Sequence, residues 1–128
     1  MKLDGVHHIA VICSDRERSL EFYCCVLGLR VVKEHFRSER DSWKLDLALG
    51  DRYVVELFTF PSPPPRVSNP EACGLRHLAF AVRDIEDARD ELSRKGVAHE
   101  ELRTDEYTGK RFFFLRDPDG LPIEIYET

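Results

Sequence analysis

The amino-acid sequence predicts an α+β fold made of two tandem βαβββ modules, and three observations carry that reading. His8-Ile9-Ala10-Val11 returns as His77-Leu78-Ala79-Phe80, and Asp15 returns as Asp84, both at an offset of 69 residues, so the chain is written twice. An apolar-Glu-apolar segment closes each half, Val54-Val55-Glu56-Leu57-Phe58 and Pro122-Ile123-Glu124-Ile125-Tyr126, at an offset of 68. Between the halves runs Pro61-Ser62-Pro63-Pro64-Pro65-Arg66, continuing to Pro70. Such a stretch is stiff, extended and unable to join a sheet ladder. The boundaries expected are a first module over 4–60, a linker over 61–73 and a second module over 74–128, together one domain of 1–128.

Each element has a local reason. Val6 to Ile12 is rich in β-branched residues and reads as a strand. Ser14-Asp15-Arg16-Glu17 has the Ser-x-x-Glu spacing of a capping box, which opens a helix. Leu20, Tyr23 and Leu27 then share one helical face, and Gly28 ends the helix because a left-handed cap costs glycine little. Strands follow at Leu29 to Phe36, Trp43 to Leu49 and Tyr53 to Phe60, the last two joined by a tight turn at Gly50-Asp51. The second half repeats the plan. Leu75 to Val82 is its strand, Asp84 its N-cap, Ile85, Ala88 and Leu92 its buried stripe, and Gly96 its helix stop. Val97 to Arg103, Lys110 to Arg116 and Leu121 to Tyr126 complete it, with turns at Thr108-Gly109 and Asp117-Pro118-Asp119-Gly120.

Composition narrows the function. With 19 basic against 24 acidic residues, a net charge of −5 and no basic run, the chain is a poor partner for nucleic acid or an anionic membrane. No apolar stretch approaches a bilayer span, and the start MKLDGVHH has no apolar signal region. A cytoplasmic protein is expected. Cys13, Cys24, Cys25 and Cys73 form no CxxC pair, and reduced thiols fit that compartment.

Alternate residues of a strand share a face. His8 then lies with Ala10 and Ile12, His77 with Ala79 and Ala81, Glu56 with Phe58 and Phe60, and Glu124 with Tyr126. His7 is expected to face away from His8, while His35 and His99 have no repeat mate at a ligand position. If the helices cover one face, the four polar residues point from the other, where small alanines leave room and aromatics exclude water. Two imidazoles and two carboxylates make an N2O2 set for a borderline divalent ion, and glutamates flanked by Val55, Leu57, Ile123 and Ile125 are costly to bury without a cation or hydrogen bonds. Arg37, Arg40, Lys44 and Arg111 are candidates for an anionic substrate or for a solvated edge; Trp43, Phe112 and Phe114 read as core, and Cys73 as a small buried hydrophobe.

The doubled plan, His8 and His77 opening the modules, Glu56 and Glu124 in the closing strands, and Asp117-Pro118-Asp119-Gly120 before Ile123-Glu124 resemble the vicinal oxygen chelate superfamily, specifically its glyoxalase I-like (lactoylglutathione lyase-like) proteins. The resemblance implies paired βαβββ modules forming a cupped mixed sheet around one divalent metal ion (Ni, Zn, Co, Mn or Fe), with His8, Glu56, His77 and Glu124 as ligands. It implies a small-molecule substrate and a homodimer. It also implies proton transfer beside a polarised carbonyl of a 2-oxoaldehyde-thiol adduct, with Glu124 as first choice for the base and Glu56 as its repeat mate. Two departures stand out. Glutathione-using members carry Arg and Asn where this chain has Ile12 and Phe60, so Ile12, Phe58 and Phe60 are read as apolar substrate wall. Lys110, seven residues before Asp117, matches a lysine that meets a substrate carboxylate in some members. The related alternatives are a fosfomycin-type thiol transferase, an acyl-CoA epimerase, and a non-catalytic small-molecule-binding module.

Overall fold

The computed structural model describes residues 1–128 and divides them into two compact units, Met1–Pro64 and Pro65–Thr128. In the first, β1 (Ile9–Cys13) leads into α1 (Arg16–Leu20), which widens into a π-helical stretch at Glu21–Val26. Strands β2 (Arg30–Arg37), β3 (Ser42–Leu49) and β4 (Arg52–Thr59) follow, in the sheet order β1-β4-β3-β2. The second unit repeats this with β5 (Leu78–Val82), α2 (Ile85–Arg94), β6 (Arg103–Thr104), β7 (Arg111–Arg116) and β8 (Pro122–Glu127), in the order β5-β8-β7-β6. In each unit the first strand pairs parallel with the last and the other pairings are antiparallel. The α+β reading with two βαβββ modules therefore holds.

Strand alternation sorts each sheet into a packed and an open face. In β3 and β4, Leu45, Leu47, Val55 and Leu57 are all at or below 1% exposure, and each such side chain contributes about 1.5–3 kcal/mol by leaving water. Arg16 of α1 lies over the Trp43 ring on that side, 4.7 Å from its centroid, which places the helix there. In the second unit Phe113, Leu115, Ile123 and Ile125 are buried, and Arg111 reaches Glu86 of α2 at 2.6 Å. The open face carries Ala10, Ile12, Glu56 and Phe58 in one unit and Ala79, Glu124 and Tyr126 in the other.

A bulge between Leu47 and Ala48 sets which residues meet across β3 and β4. Closest to the turn, Leu49 pairs with Arg52 and Ala48 with Tyr53; beyond the bulge Leu47 pairs with Val55 and Asp46 with Glu56. The extra residue brings leucine opposite valine and carboxylate opposite carboxylate.

Several expectations need correction. The N-cap of α1 is Asp15, whose carboxylate accepts from Arg18 N at 2.8 Å, rather than Ser14. The buried stripe runs through Ser19, Phe22 and Tyr23, while Leu20 and Leu27 are half-buried. The π-helical hydrogen bond from Leu27 N to Phe22 O widens the turn, so the 3.6-residue stripe does not persist. Asp84 caps α2 as expected, accepting from Asp87 N at 2.9 Å, and Gly28 and Gly96 take left-handed φ values of 78° and 69° at the helix ends. Strand β6 is far shorter than Val97 to Arg103. His99 bridges Leu115, and its ring is held by Ser93 and the Glu100 carbonyl, so the segment touches β7 before joining it. The four cysteines form no disulfide; Cys73 is exposed, not buried, and burial, then the charge of the neighbouring Cys25, push the Cys24 thiol up. No helix is long and apolar enough to cross a membrane.

Candidate metal centre

The site residues rise from the parallel pairing of first and last strands. Ala10 is the partner of Glu56 and Ala79 of Glu124, so each histidine, immediately ahead of its strand, lies one step from its glutamate. His8 Nε2 is 3.3 Å from Glu56 Oε2, and His77 Nε2 is 3.2 Å from Glu124 Oε2. Two donors bound to one ion at about 2.0–2.2 Å, roughly 90–110° apart, lie about 2.8–3.6 Å from each other. Both pairs have that spacing, so the residues fit neighbouring positions on a divalent cation. Within a single unit no three His, Cys, Asp or Glu side chains gather as a ligand set, so each unit offers a pair.

The surroundings of the two pairs differ. The His8 ring stacks on Tyr53 at 5.2 Å, and its Nδ1 lies 2.8 Å from His7 Nδ1. One of these nitrogens carries the proton and the other accepts it, which ties down the ring and aims Nε2 at Glu56. His7 therefore does not face away, because β1 begins only at Ile9 and strand alternation does not reach residue 7. Glu56, 8% exposed, is held from its other oxygen by Lys44, with Nζ 2.6 Å from Oε1. Lys44 also meets Asp46 at 2.6 Å, and the Tyr53 hydroxyl donates to Asp46 at 3.3 Å. Burial opposes the Lys44 charge, but its bonds and attraction to Asp46 and Glu56 outweigh this and raise its pKa. Burial first, then the Asp46 and Glu56 charges, push the Tyr53 phenol well up, so it stays a neutral donor.

Around His77 there is less polarity. Phe114 meets its ring edge-on at 5.3 Å, and Nδ1 is buried without a hydrogen-bond partner. The register explains the contrast. Asp46 stands opposite Glu56, whereas Phe114 stands opposite Glu124. In the sequence Lys44 stands only among the anion-binding candidates, and Asp46 and Tyr53 are not among the site residues expected there. The signal was the alternation Lys44-x-Asp46 beside a buried leucine stripe, but the bulge had to be known to set it against Glu56.

The remaining candidates take varied places. Ile12, 58% exposed, pairs with Phe58 on the open face, and Phe58 stacks on Phe60 at 6.2 Å. Lys110 is exposed at the head of β7, and its charge acts on Glu127, a residue of the packed face of β8. Arg111 is committed to Glu127 and Glu86 at 2.7 and 2.6 Å. Phe112 and Phe114 are half-buried beneath Arg103, and Trp43 half-buried beneath Arg16, rather than core.

Known proteins share this architecture. The chain is 56% identical over 127 residues to the uncharacterized protein YwkD of Bacillus subtilis, covering 99% of both, and 57% identical over 125 residues to the uncharacterized protein YaeR of Escherichia coli, covering 98% of this chain and 97% of that one. The crystal structure of SMU.1112c superposes with a TM-score of 0.92 at 49% identity, covering 98% of this chain and 100% of the other. More distantly, a probable lactoylglutathione lyase of Synechocystis is 26% identical over 129 residues, covering 94% of this chain and 93% of that one. Residues 5–125 match the model of the family described as Glyoxalase/Bleomycin resistance protein/Dioxygenase superfamily. The chain belongs to that superfamily.

Proposed function

We propose that the protein is a divalent-metal-dependent lyase or isomerase of glyoxalase I type, acting on a small 2-oxoaldehyde-thiol adduct or a related carbonyl compound. The observation that carries this reading is the pair of repeat-equivalent His–Glu contacts at 3.3 and 3.2 Å, each with the spacing of neighbouring metal ligands. His8, Glu56, His77 and Glu124 are assigned as the ligands of one ion. A bound ion of this type supplies Lewis-acid polarisation of a substrate carbonyl.

The residues divide the remaining work. His7 and Tyr53 hold the His8 ring, and Lys44 holds Glu56. Glu124 has His77 on one oxygen and carries no lysine on the other, so it is the carboxylate freer to turn. It is assigned to take the proton from one carbon and return it to its neighbour. Ala10 and Ala79 leave space beside the glutamates, while Ile12, Phe58 and Phe60 provide apolar surface that limits water.

All four ligands are retained, which favours metal chemistry over a metal-free binding module, and the second glutamate favours proton transfer over a three-ligand thiol transferase. The test is metal content, by mass spectrometry after dialysis, of wild type and of His8→Ala, Glu56→Ala, His77→Ala and Glu124→Ala. Each substitution should lower retention markedly while the circular dichroism spectrum is kept. Stoichiometric metal in all four variants would refute the assignment. Turnover of methylglyoxal with several thiols by the loaded wild type tests the reaction.

A further inference from the structure

Four arginines are half-buried, namely Arg16, Arg37, Arg89 and Arg111. Three meet carboxylates: Arg16 those of Glu17 and Glu34, Arg89 that of Asp90, and Arg111 those of Glu86 and Glu127. Arg37 does not. Its one polar partner is the hydroxyl of Ser42, which accepts from a terminal guanidinium nitrogen at 2.7 Å, and its Nε is buried with no partner at all. A guanidinium taken out of water without a counter-charge is costly, so the feature calls for an explanation.

The position of Arg37 supplies one. It pairs with Ser42 at the end of β2, and its guanidinium lies over Phe58, 4.7 Å from the ring centroid, and over Phe60 at 5.7 Å. Phe58 is two residues beyond Glu56 on the same face of β4, which is about 7 Å along a strand. The ring contacts hold the guanidinium in place, and with Nε buried and one terminal N–H given to Ser42, the remaining terminal N–H groups are those left for a forked acceptor. The other unit offers a comparison. Arg103 on β6 also lies over two rings, Phe112 and Phe114 of the neighbouring strand β7, at 4.9 and 5.4 Å, but its charge is met by Glu100 at 2.8 Å. Three arginines of the cleft beside the linker are also engaged, Arg66 and Arg116 with backbone carbonyls and Arg76 with Glu71.

We propose that Arg37 is the residue by which this site recognises its substrate class: a molecule bearing one anionic group, a carboxylate or a phosphate, about 7 Å from the atoms held at Glu56. The inference rests on the metal-site reading for the place of those atoms, and on Arg37 alone for the charge. Lys44 is not a rival, because Asp46 and Glu56 already neutralise it.

The test uses two chelating probes that differ only in charge. Metal-loaded protein is titrated calorimetrically with succinate monohydroxamate and with butyrohydroxamate, for wild type, Arg37→Met and Arg37→Lys. In parallel, metal-free protein is titrated with succinate and with inorganic phosphate while the Arg37 Nε–H signal is followed by NMR. Wild type should bind the anionic probe about tenfold tighter, the scale of one charge-assisted fork. Arg37→Met should equalise the two probes without changing butyrohydroxamate affinity, and Arg37→Lys should restore part of the preference. The Arg37 signal should move with succinate or phosphate, and the anion that moves it at lower concentration identifies the group. An equal ratio in wild type and Arg37→Met, or an Arg37 signal unmoved by either anion, overturns the proposal. Discrimination between probes without any turnover of methylglyoxal adducts upholds the anion site and removes the isomerase reading. A moving Arg37 signal without hydroxamate binding upholds the charge recognition and removes the metal reading.

Discussion

Replacing Lys44 by Met should destabilise the first unit by about 2 kcal/mol. The side chain carries two ion pairs of 2.6 Å, to Glu56 and to Asp46, with side-chain exposures of 30% for the lysine, 10% for Glu56 and 19% for Asp46. Breaking a buried pair costs about 3–5 kcal/mol because a charge is left unpaired, whereas exposed pairs contribute about 0–1 kcal/mol. The lysine sits between those limits. Its loss also leaves two carboxylates facing each other across β3 and β4 without a cation. Trp43 is the one tryptophan and is next to the mutated position, so its fluorescence in urea reports this unit specifically. With a slope of about 1–2 kcal/mol/M, the midpoint should fall by about 1–2 M. In a Glu56→Gln background the same substitution should cost less, because one of the two charges it leaves behind, and with it the repulsion across the strands, is already gone, while Asp46 remains. An unchanged midpoint, or the same loss in the Glu56→Gln background, would mean that the lysine is solvated and that Glu56 is positioned by something else.

The other expectations are more local. Asp117, 4% exposed, accepts from Asp119 N and Leu121 N through the same oxygen, at 2.9 and 2.8 Å. Asp117→Ala should therefore cost about 2–3 kcal/mol in urea unfolding, while Asp117→Asn, which keeps an acceptor there, should cost less than half of that. The Arg111 guanidinium holds the Glu127 carboxyl below its usual range, so its contribution is present above the ordinary glutamate value and is lost as pH falls through the folded one. The stability gap between wild type and Glu127→Gln should accordingly be widest near neutrality and close below about pH 4. With Ile12 and Phe60 where a tripeptide needs donors, the glutathione adduct of methylglyoxal should have a lower kcat/KM than adducts of small thiols on the same loaded preparation.

What could be read from the sequence was what the repeat and the punctuating residues encode. Asp84, Gly28 and Gly96 mark helix ends by backbone chemistry that operates over three or four residues, and the structure keeps them. The contact of each opening histidine with its closing glutamate followed from strand parity, although the assembly of both pairs on one ion rests on the resemblance. Parity failed where the backbone leaves the regular period. The π-helical stretch moved burial from Leu20 to Ser19 and Phe22, and His7 lies outside β1. The Lys44-Asp46-Tyr53 cluster depends on cross-strand register, which no local signal specifies.

The irregularity between β3 and β4 has a counterpart worth weighing. From Asp46 to its partner Glu56, and from Phe114 to its partner Glu124, the chain takes the same ten residues. One unit spends them on a tight turn plus a bulge, and the other on a longer Asp-Pro-Asp-Gly connection with no interruption. The conserved quantity of this hairpin is thus an even count, not a turn type. Two residues added to or removed from either connection leave the carboxylate on the open face. A single insertion or deletion that neither the turn nor the bulge absorbs turns it into the leucine layer and brings Val55 or Leu57 out in its place. An odd change in length must therefore be taken up in the turn or in a bulge, as the shorter connection does.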